Sequence, residues 1–530
     1  MAESSVNTNN IQGNIFGGFN KNFQTLLFLK FRSGPTGRAW IKALADPDFG
    51  EGVAQSNSAR VLTFNGQFKA LHAAGLKPED FLAVAWTNIA ISHQGLKALE
   101  VRHDDLMAFP SDYAQGMAAR KDRIGDLGES DPSKWIAPFD KPADIHAVLI
   151  VAADNEGLLE KRVEALRGMP TFAPGVEELG KEPIQGRTRA DLLDKDKTII
   201  EKREGHEHFG FKDGVSQPGI RGVTVPDDPI GNPRQGQPGQ DLLWPGEFVL
   251  GYPTQRPEAK RGTGGPNPDA GTKSRSGPRW TKDGSYFVFR RLAQNVPQFH
   301  KHVEELAKAN GLNPDLMGAK LVGRYKSGCP VETRAFQPPP YDPPAKDPGQ
   351  GAGSPLADSD TLNNNFEFGD DVDGGTCPLA SHIRKAYPRD EQTLENKDDS
   401  ESDTQTHRLL RRGIPFGGSI GDKVGGKEGD PRGLLFMCYQ KSIKDQFEFV
   451  QSSWVNDKEF PAFPPGRPTP GDDPIIAQSP QGPFTLDPAK PSLTVRHFVT
   501  TTGGEYFFAP SIRALQELGA NLHGLPVKAP

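Results

Sequence analysis

Cysteine is nearly missing: 530 residues contain three, Cys329, Cys377 and Cys438. Far apart and odd in number, they spell neither a disulfide framework nor a zinc motif, and reduced, buried thiols are the plain reading. Long apolar runs are also missing, since nothing approaches the ~18 residues of a membrane-spanning helix. The start, MAESSVNTNN, has neither a basic opening nor an apolar stretch. A soluble chain, intracellular as written, is therefore expected, with a secreted mature form left open. No Asn-x-Ser/Thr acceptor with a permitted middle residue occurs, which suits an intracellular protein. Positive charge is not in excess: 62 Lys and Arg face 68 Asp and Glu, for a net charge of −6. That removes the electrostatic footprint of a nucleic-acid binder and leaves a cation or a small molecule as the partner. Among twelve histidines none has the HExxH spacing of a zinc enzyme.

Glycine and proline are plentiful, at 59 and 48, so irregular inserts between compact parts are expected. The length calls for about two to four domains. Residues 24–31 (QTLLFLKF) read as a strand and 36–44 as a brief helix; 60–64 alternates, and 81–90 has helix-like apolar spacing. Residues 143–153 form a strongly apolar strand before a charged helix over 156–167. The segment 226–283 is rich in Pro and Gly, with 247–252 (EFVLGY) as a strand-like island. The same strand-then-helix grammar resumes at 286–291 and 297–309. A second low-complexity stretch, 337–360, reads as a surface loop. Strands over 433–440 and 495–501 and helices over 444–451 and 511–518 complete the chain. The expected architecture is α+β with two domains, 1–225 and 226–530, the second carrying insertions at 226–283 and 337–360.

Three segments resist explanation by packing. Residues 205–220 (GHEHFGFKDGVSQPGI) hold Asp213 in a glycine-framed loop approached by phenylalanines; Asp-Gly alone is a turn signal, yet such a loop also presents a carboxylate to a cavity. Residues 377–389 (CPLASHIRKAYPR) place His382 after small and apolar residues and before Arg384, and read equally as an amphipathic helix. Residues 407–416 (HRLLRRGIPF) are dense in arginine, Arg408 among them, and read equally as a solvated basic face.

In family order, these segments resemble the dye-decolorizing peroxidases, of the fungal-type branch. NIQGNI at 10–15, NIAISHQGLKAL at 88–99, GFKDGVSQP, GSYFVFRRL at 284–292, AKLVGRYKSGCP at 319–330, HIRK, RRGIPFG, GLLFMCYQ and GEYFFAPS at 504–511 all look like family blocks. The resemblance implies two ferredoxin-like domains, each an antiparallel sheet packed with helices, holding one haem b mainly in the C-terminal domain. It implies hydrogen peroxide as oxidant and dyes, phenols or other aromatics as reductants. His382 matches the iron ligand, Asp213 the distal carboxylate, Arg408 the distal arginine, and Leu434 and Phe436 the apolar distal residues. Asp473 is the candidate carboxylate behind His382, with neighbouring Asp472 an alternative. Arg384 meets a haem propionate or lies on a helix surface. Trp454 matches a surface tryptophan radical site or else covers the core.

These residue types suit the chemistry. A carboxylate on the far nitrogen of a ligating imidazole raises its basicity and fixes the ring. Cleaving peroxide calls for a base that moves a proton between the oxygens and a cation for the charge developing on the leaving one; the resemblance implies an oxoferryl product. The segment 388–403 sets seven acids against two bases; with Tyr387 beside it, Mn(II) is a further candidate reductant, though a solvated face is the plainer reading. Phe416 stands where tyrosine is half expected, which excludes a tyrosyl exit there. A haem-handling protein that releases iron without turnover is the rival class.

Overall fold

The chain builds its core on strands whose apolar runs are nearly unbroken, as strands buried on both faces must be. The computed structural model describes residues 6–46, 55–78, 81–186, 192–193, 199–201, 205–256, 271–332, 343–349, 363–391, 401, 403–418, 429–462 and 469–521. In the first half, β1 (Phe23–Phe31) leads into α1 (Gly34–Leu44) and α2 (Ser58–Ala73), then β2 (Ala85–Ile91), β3 (Ala147–Ala153), α3 (Glu156–Arg167) and β4 (Val176–Gly186). Asn155 opens α3 as a cap, accepting the Leu158 N–H, which satisfies a donor left over at the first turn.

The second half repeats this grammar. It runs through β5 (Ser285–Gln294), α4 (Val296–Asn310), α5 (Pro314–Val322), α6 (His382–Ala386), β6 (Leu410–Arg411), β7 (Ile414–Phe416), β8 (Gly433–Gln440), β9 (Val499–Ala509) and α7 (Ile512–Gly519). Two π-helical segments, Ile443–Phe447 and Val450–Val455, lie between β8 and β9.

Strand order explains the repeat. β4-β1-β3-β2 in the first half and β9-β5-β8 with β6 and β7 in the second are the same ferredoxin-like arrangement, and all these pairs are antiparallel. A Phe508–Ile91 pair joins β9 to β2, so one sheet crosses position 226. The sheet curls back on itself: Phe28 of β1 lies 5.2 Å from Phe289 of β5, Phe139 stacks on Phe289 at 5.4 Å, and Arg291 of β5 reaches Glu182 of β4 at 2.8 Å. Each such aromatic pair adds about 0.5–1.5 kcal/mol beyond its buried area.

Three local expectations are corrected. Residues 60–64 lie inside α2, because five residues are too few to separate alternation from a helical face. Residues 85–90 of the helix-like 81–90 stretch lie in β2, whose seven residues are all buried; burial on both faces erases the period of two. Residues 247–252 run from the end of a 3-10 helix (Pro245–Glu247) into turns and bends rather than a strand, although Phe248, Val249 and Leu250 are fully buried; Gly251 there adopts φ +96. The loop expected at 337–360 lies outside the described residues except for 343–349. No helix among the described residues is long and apolar enough to cross a membrane.

Candidate active site

Beside the outer face of β5 and β8 lies a cavity of ≈ 260 Å³, counting the space open to the centre of a water molecule. Alternation along each strand decides which side chains reach it. Leu434 and Phe436 of β8 pair with Leu292 and Arg290 of β5, and all four line the cavity, while Arg291 points to the opposite side.

Asp213 reaches the cavity on the glycine-framed loop, and packing shows why that loop holds its shape. Phe209 and Phe211 are buried, Phe209 stacking on Phe299 at 4.0 Å. Glu207 accepts the Phe209 and Phe211 N–H groups at 2.7 and 2.9 Å. Gly214 adopts φ +77, a backbone that glycine tolerates best, and its N–H donates to Asp213 at 2.6 Å.

The arginine that meets Asp213 is Arg411, with Nη1 at 3.1 Å from Oδ1. Its Nη2 donates to the Ser216 carbonyl at 3.0 Å, so it also ties the loop to β6. The expectation for Arg408 is corrected: it lines the cavity, but its guanidinium lies 3.8 Å over the ring of Tyr387. Arg411 was missed although it stands three residues on in the same arginine-dense segment, and that density was its one visible signal.

His382 opens α6. Its Nδ1 shares a 2.9 Å hydrogen bond with Asp473 Oδ2, and its ring lines the cavity. Asp473 is fully buried and its Oδ1 accepts the Ile475 and Ile476 N–H groups at 2.8 and 2.9 Å. Burial opposes charge on both groups; even so, Asp473 lifts His382 above its ordinary value, and His382 with those N–H groups holds Asp473 below its own. Asp472 turns away to accept from Ser479 at 3.0 Å.

Two further expectations fail on geometry. Arg384 is fully buried and spends its five N–H donors on Asp371, Glu391 and the carbonyls of Asp371 and Cys377, leaving none for a propionate. Trp454 is 2% exposed, stacked on Phe460 at 5.4 Å and edge-on to Phe449 and His407; it is a core residue, because its neighbours enclose it. Within 388–403, residues 392–400 and 402 lie outside the described residues. Among the rest, Asp390 accepts the Phe368 and Gly369 N–H groups, Glu391 pairs with Arg384, and Glu401 accepts the Tyr387 hydroxyl at 3.2 Å. Among the described residues, no group of three or more His, Cys, Asp or Glu is placed to hold a metal ion.

The lining suits a flat, apolar, iron-bearing macrocycle with acidic substituents. His382 offers one imidazole whose far nitrogen is tied down, and Leu434, Phe436, Phe447, Ile475 and Ile476 supply apolar walls. Arg324 and Arg389, both cavity-lining and buried, have no carboxylate within salt-bridge distance among the described residues. Burial, with Arg389 and Arg411 nearby, pushes Arg324 down to about 9. A buried cation without an acidic partner suits a ligand that brings carboxylates of its own.

Known proteins resemble this chain nearly end to end. Residues 10–190 match the DyP dimeric alpha+beta barrel domain and residues 358–460 the Dyp-type peroxidase C-terminal domain. The chain is 30% identical to the dye-decolorizing peroxidase msp1 of Mycetinis scorodonius over 97% of this chain and 88% of that one. Its fold is similar to an ancestral D-type dye-decolorizing peroxidase, with TM-score 0.72 and 32% identity, over 97% of this chain and all of that one. It is likewise similar to a dye-decolorizing peroxidase in complex with 2,6-dimethoxyphenol, with TM-score 0.71 and 28% identity, covering 97% and 100% of the two chains. With both family domains present and the similarity running nearly end to end, this chain belongs to the dye-decolorizing peroxidase family and is a peroxidase.

Proposed function

We propose that this peroxidase binds haem b in the cavity beside β5 and β8 and uses hydrogen peroxide to oxidise dyes and phenolic compounds. The observation that carries the reading is the convergence on one cavity of an Asp473-tethered His382 and an Asp213–Arg411 pair. When bound, haem supplies the iron that takes up the oxidising equivalents of peroxide. His382 would be its ligand, kept as a good donor by Asp473, and Arg324 and Arg389 would meet its propionates. Asp213 would take a proton from one peroxide oxygen and return it to the other, and Arg411 would hold the charge that gathers on the departing oxygen. Leu434 and Phe436 line the same cavity with apolar surface.

The test is a visible spectrum of the purified holoprotein before and after one equivalent of peroxide. A Soret band that shifts on addition and returns with a phenolic reductant is expected. A band that decays with release of iron and no turnover would support haem handling instead. His382→Ala is expected to abolish stable haem uptake; full occupancy with an unchanged spectrum would remove His382 as the ligand.

A further inference from the structure

Neither the fold nor the proposed chemistry accounts for the lysine of the HIRK segment or for the π-helical backbone at Val450–Val455. A π-helix is rare and often marks a functional site. Lys385 is fully buried, yet among the described residues no carboxylate lies within salt-bridge distance of its Nζ. Burying an ammonium in this way is costly, and a methionine of similar length would fill the same space without that cost. What the ammonium adds is donors. Its Nζ donates to the carbonyls of Asp457 and Phe460, each at 2.6 Å, and lies 5.5 Å from the centre of the Phe460 ring.

Asp457 and Phe460 belong to the stretch that follows the π-helical segment, and the same stretch holds Asp473. The Asp473 N–H donates to the Val455 carbonyl at 3.1 Å, the Gly471 N–H donates to the Lys458 carbonyl at 2.9 Å, and Gln451 Nε2 donates to the Ile476 carbonyl at 3.1 Å. Val450, Trp454, Val455, Phe460 and Ala477 form a small core of their own with Ile476 packed against it, and Trp454 stacks on Phe460 at 5.4 Å within it. Residues 450–460 therefore carry both partners of the His382–Asp473 hydrogen bond. Asp473 is held through its backbone and the turn after it; His382 is held through Lys385, three residues on in α6 and so a neighbour on the helix surface. The two partners are 91 residues apart in the chain, so the hydrogen bond is only as short as this shared support keeps them close.

We propose that Lys385 is a positioning residue that locks α6 to the 450–460 platform, thereby setting the length of the His382–Asp473 hydrogen bond and with it how strongly His382 donates to haem iron. The inference rests on the haem reading above. Removing Lys385 has two opposite effects on that donation. Loss of the anchor lets α6 drift from Asp473, weakens the hydrogen bond and makes the imidazole a poorer donor. Loss of the positive charge alone leaves Asp473 a stronger acceptor and makes the imidazole a better one. The sign of the change therefore separates an anchor from a charge.

Resonance Raman spectra of the ferrous, haem-loaded full chain read the iron–imidazole stretching frequency, and spectroelectrochemistry reads the ferric/ferrous potential. Asp473→Asn, which removes the carboxylate, sets the scale, with a lower frequency and a higher potential than wild type. Lys385→Met is expected to move both in the same directions, by at least half of that span. A smaller shift, no shift or a higher frequency, with Asp473→Asn still lowering it, would overturn the positioning role and leave the haem reading intact. A wild-type ferrous spectrum without an iron–imidazole mode would overturn both. If Lys385→Met yields no folded holoprotein, Gln451→Leu decides, since it cuts the tie between the platform and the turn after Asp473: a lower frequency upholds the platform, and an unchanged or higher one overturns it.

Discussion

Arg408 and Arg411 are three residues apart in a stretch of extended backbone, where side chains at that spacing leave opposite sides of the chain. Only one of them can meet Asp213, and it is Arg411; Arg408 lies on Tyr387. The density of arginine was legible in the sequence, but the choice between neighbours depended on where the 205–216 loop comes to rest. If Arg411 carries the charge of the breaking O–O bond, Arg411→Leu should slow the peroxide step by about 10²–10³-fold, the usual loss for one such donor. Arg408→Leu should slow it by less than about tenfold. Stopped-flow haem spectra of the two variants check the order, and a larger loss in Arg408→Leu would return the role to Arg408. A similar choice separated Asp473 from Asp472: adjacent carboxylates differ only in which one the chain turns inward.

At the scale of the element, α6 has five residues, too short to be stable alone, so His382 is placed by what surrounds it. Ser381 Oγ donates to the Lys320 carbonyl at 2.5 Å, and Lys385 Nζ donates to the carbonyls of Asp457 and Phe460, each at 2.6 Å. Behind it, α5 ends at Gly323 with φ +90, and a Cβ there would lie 2.4 Å from Ile383. Gly323→Ala should therefore cost about 1–3 kcal/mol in stability and also weaken haem binding, because the clash falls on Ile383, the neighbour of His382 in α6. Thermal unfolding and a haem titration check both; lost stability with unchanged haem affinity would show that α6 absorbs the strain without moving His382. Long strongly patterned elements such as α3 and β8 were legible from the sequence. β2 was not, because a strand buried on both faces offers the same continuous apolar signal as a buried helix segment.

For the whole molecule, joining β9 to β2 makes one curled sheet and buries polar groups that separate domains would leave near water. Glu505 of β9 is an example: it accepts the Met117 and Tyr506 N–H groups at 3.0 and 2.7 Å, and burial pushes its carboxyl up to about 7. Its unfolded value is near 4.3. Below about pH 4 both states hold the proton and Glu505 contributes nothing to stability. As pH rises toward 7 the unfolded chain ionises first and folding loses up to about 4 kcal/mol, a penalty that is complete above the folded value. Glu505→Gln should remove that slope, so the difference in Tm between variant and wild type should grow from pH 4 to pH 7.5. A difference that stays constant across that range would show that Glu505 does not titrate between the two states.

What the sequence determined by itself was local or carried by ordered motifs: the α+β grammar, the repetition of strand and helix in two halves, the shortage of cysteine and of membrane-length runs, and the family blocks around Asp213 and His382. These are legible because periodicity and turn chemistry act over a few residues. Tertiary structure alone decided which of two arginines meets Asp213, which of two aspartates holds His382, and that Arg384 and Trp454 face away from the roles expected of them. Each of these depends on segments up to hundreds of residues apart in the chain, and for Arg411, on a strand, a one-residue change of register would turn the side chain to the other face.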